Sequence, residues 1–280
     1  MANSLASGLA RLVGCERKNG QTHGNARDRR IPGGRDQRLL RAALVGGSPR
    51  SGQANRQENQ TADTFLTMND CIIRPARAGD QQDAYYVCLK TGDFGKDGEP
   101  FYREDPDALG RIFVGPYLAY EPEPSLILED AQGVCGYALG ALDSRGFYAR
   151  YEKEWRPDLC KRFPAPQGEP SQWTRVQTVY HWYHHPDYFM PEPYEAYPSH
   201  LHIDLLERAQ GRGYGRRMME QVMDRLRQRG SPGAHLGVSM LNTPAFGFYL
   251  RLGFEELIRV GEGTDGCIYM GKSLRRPEDQ

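Results

Sequence analysis

The chain is 280 residues long, 39% hydrophobic and 26% charged, with zero formal net charge, enough for one large domain or two small ones around a real core. No run approaches the ~20 consecutive apolar residues of a membrane span, so no membrane partner is expected. The zero hides an asymmetry: residues 1–67 carry 11 Lys and Arg against 5 Asp and Glu, leaving 25 against 31 in the rest, and an acidic body excludes nucleic acid as the expected partner.

Residues 1–67 read as a disordered basic tail. They are rich in Gly, Arg, Asn, Gln and Ser, with apolar clusters only at Leu39-Leu40 and Ala42–Val45, too little to offset ordering entropy. They lack the apolar core of a secretory signal, and Glu16, Asp28 and Asp36 argue against a transit peptide. A start at Met68 is an alternative reading. The six cysteines form no Cys-x-x-Cys pair and no cluster at zinc spacing, so reduced thiols and a cytoplasmic location are expected.

The globular part is expected over 70–275. Cys71–Ala76 reads as a first strand, and Asp80 as the N-cap of a helix running to about Lys90. Pro106 to Tyr120 reads as a second helix, broken near Pro116. Ser125–Glu129 and Val134–Ala141 form an apolar hairpin around Asp130–Gly133. Residues 145–199 are a long aromatic-rich insertion in which Arg150–Arg162 and Gln172–His184 look helical. Segments of this length inside a domain are usually lids or binding elements, and a wall of aromatic rings on the acceptor side is the preferred reading. His181-x-x-His184-His185 carries no carboxylate at ligand spacing, so no metal is expected.

Leu201 to Gly215, LHIDLLERAQGRGYG, organises the rest. Leu201, Ile203 and Leu205 alternate with His202 and Asp204, which is strand periodicity. Gln210 to Gly215 then spaces three glycines two apart, directly before a helical pattern. Glycine has no Cβ to block an approaching anion, and a helix N-terminus offers unpaired donors. Arg212, Arg216 and Arg217 add positive charge, so the joint reads as a phosphate cradle. It is neither a P-loop, which needs Gly-x-x-x-x-Gly-Lys-Ser/Thr, nor a dinucleotide turn, whose glycine spacing and distal acidic residue are missing.

Gln210, Gly213 and Gly215 fill Gln/Arg-x-x-Gly-x-Gly/Ala, and this stretch resembles the coenzyme A signature of the GNAT superfamily of N-acetyltransferases. Downstream, Asn242, Ala245, Phe248, Tyr249, Gly253 and Phe254 match that family's Asn-x-x-Ala-x-x-Phe-Tyr-x-x-x-Gly-Phe. The insertion and "PSHLHIDLL" at 198–206 are similar to the acetyltransferase-like C-terminal domains of protein O-GlcNAcases and related bacterial acetyltransferases. Animal domains of that type have a degraded phosphate turn, whereas Gln210–Gly215 is intact here.

The resemblance implies a GNAT α/β fold, a central mixed, mostly antiparallel sheet flanked by helices. It also implies acetyl-CoA as co-substrate and direct acetyl transfer to a primary amine of a small molecule or protein. Pantetheine is then expected on the backbone of Ile203, Leu205 and Leu206. The pyrophosphate is expected on the amides of Gly211, Arg212, Gly213, Tyr214, Gly215 and Arg216, with Asn242 near the pantetheine arm. Tyr249 is the family's usual proton donor to the departing thiolate. Asp204 is the sharper candidate to deprotonate or anchor the amine, as a partly desolvated carboxylate; His202 is the second, and Glu207 could assist. A non-catalytic module that binds acetyl-CoA or a protein is the alternative, and a homodimer is left open.

Overall fold

In a computed structural model that describes residues 71–263 and 266–276, the alternating apolar segments form one seven-stranded sheet. Its strands are β1 (Ile72–Pro75), β2 (Leu126–Asp130), β3 (Gly133–Ala141), β4 (Ser199–Leu205), β5 (Gly233–Ser239), β6 (Glu255–Val260) and β7 (Cys267–Ser273), in the order β1-β2-β3-β4-β5-β7-β6. Every neighbouring pair is antiparallel except β4 and β5. The expected tail, residues 1–67, lies outside the described residues.

Helices α1 (Gln81–Lys90), α2 (Gly110–Phe113) and α3 (Gly115–Tyr120) connect β1 to β2. Between β3 and β4 come α4 (Ser144–Arg150), α5 (Arg156–Arg162) and α6 (Arg175–His184). α7 (Tyr214–Gln228) joins β4 to β5, and α8 (Thr243–Arg251) joins β5 to β6. α7 buries Met218, Met219, Val222, Met223 and Leu226, the i, i+3, i+4 stripe of a core-facing helix. It sits so close to β3 that a Cβ on Gly140 would meet Val222 Cγ1 at 2.9 Å. With helices on both faces, all seven residues of β4 and all seven of β5 are buried.

Local chemistry moved several expected boundaries. Asp80 does not cap α1 with its side chain. Its carboxylate accepts from the amide of Arg77 and pairs with Arg74 at 2.7 Å, which pins β1 to the start of α1. The helix expected over Pro106–Tyr120 is two short ones parted at Val114, and Pro116 sits in the first turn of α3, where its missing N–H costs nothing. Helix begins at Ser144 rather than Arg150 because the Asp143 carboxylate accepts from Gly146 N at 2.9 Å. A π-helical turn at Tyr151–Trp155 carries it on to Arg162. α6 begins at Arg175 rather than Gln172, since Thr174 and Gln177 exchange a capping box.

The feature that positions the site is a fork. β4 and β5 pair only at Ser199↔Ala234 and His200↔His235, then part. β3 stays paired along β4 from His200 to Leu205, so one side of β4 is held while the other is freed.

Candidate active site

The amide of Leu206 donates to Cys135 O at 2.8 Å. The β3–β4 register continues that alternation through Tyr137↔Asp204 and Leu139↔His202. Main-chain groups alternate sides along a strand, so those of Asp204 and His202 turn to β3 and those of Ile203 and Leu205 turn into the fork. Leu206, expected beside them, points the other way and is a correction. The Leu205 carbonyl accepts from Gln210 Nε2 at 2.8 Å, which ties the turn to the end of the strand.

Past the fork the chain forms the cradle. Gly211 and Gly213 take φ of +73° and +80°, the left-handed region that glycine enters without strain, and a Cβ at either would meet nothing within 4 Å. Gly213 caps α7, so the first-turn amides of Tyr214, Gly215 and Arg216 have no acceptor four residues back. Gly211, Gly213, Gly215 and Arg216 face Phe248 and Arg251 of α8 across a cavity of about 220 Å³. Bare amides, a helix N-terminus and two guanidinium groups suit a diphosphate. Arg212 and Tyr214 turn elsewhere: the Tyr214 hydroxyl accepts from the amide of Cys71 at 3.0 Å, and the Arg212 guanidinium lies over the Tyr214 ring at 5.3 Å. Neither side chain lines the cradle cavity. Arg251 was missed in the sequence; its spacing of three from Phe248 on α8 is the signal that puts both on one face.

On the opposite face of β4, Asp204 is wholly enclosed. Its carboxylate accepts a short hydrogen bond from the Tyr137 hydroxyl and lies 3.3 Å from His202 Nε2. Burial first, then the Asp204 charge, pushes the Tyr137 hydroxyl well above its ordinary range, so it stays a donor. His202 sits against the rings of Phe113 and Tyr137 and lines a second, aromatic cavity, which Asp204 does not. Asp204 therefore reaches that cavity through His202. Glu207 is exposed in the turn after β4 and lines neither this cavity nor the cradle.

That cavity, about 90 Å³, opens where the two strands part, between His200–His202 of β4 and His235–Gly237 of β5. The insertion supplies much of its wall: Phe147, Tyr148 and Tyr151 from one arm, Trp182 and the segment His185–Phe189 from the other. Tyr148 stacks on His200 at 4.9 Å and 8° and on Tyr188 at 4.3 Å. Other insertion rings serve packing: Trp155 donates to Arg111 O and Tyr183 to Ala108 O.

Tyr249 and Asn242 occupy places that packing explains. The Tyr249 ring is fully buried against Phe248 and Phe254 and lines neither cavity. Asn242 Oδ1 accepts from Ala245 N at 3.2 Å, capping α8. In the histidine run, His184 Nε2 is 2.8 Å from Phe163 O. The one group spaced for a metal among the described residues is Cys71, Asp130 and Cys135. There Asp130 is paired with Arg208 at 2.8 Å, and burial pushes the Cys135 thiol up to about 12, which opposes the thiolate that a metal requires.

Residues 96–254 match the model of the Acetyltransferase (GNAT) family. Curated relatives include protein O-GlcNAcase of Rattus norvegicus and of Mus musculus, each 28% identical over 203 residues, which is 72% of this chain and 22% of theirs. The chain thus spans about a fifth of the length of those relatives. Among solved structures, that of SsHAT is 38% identical, covers 74% of this chain and 99% of its own, and superposes with a TM-score of 0.66.

Proposed function

Because the chain belongs to the GNAT acetyltransferase family, we propose that residues 70–275 form an acetyl-CoA-dependent N-acetyltransferase acting on a primary amine. One observation carries this: a single strand, β4, borders a diphosphate cradle at one end and an aromatic cavity at the other, with Ile203 and Leu205 freed between them. Acetyl-CoA supplies the activated acetyl thioester. The amides of Gly211–Arg216 with Arg216 and Arg251 hold the diphosphate, and the backbone of Ile203 and Leu205 aligns the pantetheine arm.

An amine attacks only when neutral. His202, lining the cavity with Asp204 behind it, takes the ammonium proton, and Asp204 and Tyr137 fix the ring's orientation. As the C–N bond forms and the C–S bond breaks, Tyr249 gives a proton to sulfur, and the second amine proton replaces it. Asp204 acts as a positioning residue in this scheme. A second reading, a module that binds acetyl-CoA without turnover, is favoured by the complete enclosure of Tyr249. Thiol-release turnover across an amine panel, with mass detection of the acetylated product, separates the two. The enzyme reading predicts product with at least one amine; calorimetric acetyl-CoA binding with no product in the whole panel would leave the module.

A further inference from the structure

The sheet supplies one side of the aromatic cavity. His200 pairs with His235, and Gly237 with Tyr269. Side chains alternate along a strand, so His200, His202, His235 and Tyr269 share one face, and all four line the cavity. Two of these imidazoles carry no charge near pH 7. Burial first, then His235 and His202, holds His200 well below the usual histidine range, and burial lowers His235 to about 4. The third, His202, is backed by the Asp204 carboxylate at 3.3 Å, so a proton taken there is paired at once.

The remaining walls are mostly rings and aliphatic carbon. Among the described residues they hold one carboxylate, Asp187, and no Lys or Arg. Asp187 and His185 are solvent-exposed, so the charged side chains stand on the open side. Ionised groups are costly to enclose without a partner. A ligand carboxylate or phosphate would find no cation here. A second ammonium would find no second group to take its proton. Several hydroxyls would each give up water against carbon. One ammonium is served, because His202 accepts its proton and Asp204 neutralises the result.

We propose that the acceptor is an apolar monoamine, an alkyl- or arylalkylamine whose amino group is its only charged group. This deepens the acetyltransferase reading of the same site and rests on it. The ammonium gives one proton to His202, the nitrogen bonds to the thioester carbonyl carbon, and the C–S bond breaks. The products are the amide, the protonated thiol of CoA, and one proton that returns from His202 to solvent. Amino acids, polyamines and amino sugars each bring a group that these walls leave unpaired.

The test uses the full chain with acetyl-CoA and matched amines. Hexylamine is compared with 6-aminohexanoate and 1,6-diaminohexane, which add one anion or one cation to the same chain. The second pair is 2-phenylethylamine and phenylalanine, and glucosamine is the polar probe. Each apolar amine is expected to exceed its charged partners at least ~100-fold in kcat/KM, the penalty for enclosing an unpaired ion. Ile112, half-buried in the wall, offers a place for the missing cation. Ile112→Lys should cut the hexylamine to 6-aminohexanoate ratio at least ~10-fold, with Ile112→Met as the control for shape. If no probe turns over, the same ratios are read as Kd by calorimetry on the CoA-saturated protein. Ratios near one in the parent, preference for an amino acid, the diamine or glucosamine, a ratio that Ile112→Lys leaves untouched, or no amine bound overturns the proposal. Loss of acetyl-CoA binding itself would instead overturn the acetyltransferase reading beneath it.

Discussion

Gly213→Glu puts a side chain where the diphosphate should lie. Gly213 holds φ +80°, and a Cβ there meets nothing within 4 Å. The turn therefore admits a side chain, and the fold suffers only from the left-handed backbone, about 1–2 kcal/mol for a non-glycine residue. At roughly 2–4 °C per kcal/mol for a domain of this size, melting falls by about 2–8 °C. Binding suffers far more. A carboxylate about 4 Å from a phosphate charge, at an effective dielectric near 20, is repelled by about 4 kcal/mol, roughly a thousandfold in Kd. Gly213→Ala carries the same backbone strain without the charge, so the Glu to Ala ratio isolates the electrostatic part. Calorimetric titration with CoA on both variants, each checked by thermal melting, measures that ratio. A folded Glu variant that binds CoA within threefold of the parent would refute the cradle.

The other predictions concern the chemistry and the enclosed histidines. Tyr249→Phe keeps the packing against Phe248 and Phe254 and removes the proton donor, so kcat should fall about 10²-fold or more with acetyl-CoA Kd unchanged; equal kcat would leave Tyr249 a packing residue. Asp204→Asn keeps the shape but changes what Tyr137 and His202 face, so kcat should fall about 10²–10⁴-fold and its pH profile should shift, which a purely structural role would not do. Burial lowers His235 to about 4, so below pH ~6.5 the unfolded chain takes up a proton that the folded chain refuses. Stability should therefore drop as pH falls from about 6.5 to 4, by up to about 1.4 kcal/mol per unit from this residue, with His200 acting in the same direction. Urea melts of the parent and of His235→Gln at pH 7, 5.5 and 4.5 check this, and the variant should have the shallower slope.

What could be read from residues alone was local. The alternation Leu201–Leu205, the glycine turn and the helical pattern after it are short-range patterns, and they placed the strand, the turn and the helix that it opens. The phase along β4 was open to the same reasoning, since a period of two puts His200, His202 and Asp204 on one face. Pairing was not. Leu206 looked equivalent to Leu205 until the register with Cys135 turned its amide toward β3, and that partner lies 71 residues away. Asp204 looked like a group that meets the amine because nothing local says that Tyr137 lies across from it. The fork itself depends on where β5 stops pairing, a contact that no periodicity in either strand records. In the insertion, aromatic content announced a wall, but which rings line the cavity and which prop the helices is decided by α4, α5 and α6 folding back on β4.

The claim beneath all of this is that acetyl-CoA lies along the freed side of β4, with its diphosphate on the glycine turn. Amide hydrogen exchange on the full chain, with and without acetyl-CoA, tests it most directly. The account predicts slowed exchange in peptides spanning Ile203–Leu205 and Gly211–Arg216, with the β1–β2 strands unchanged. Saturating acetyl-CoA that leaves both segments exchanging as before would contradict it.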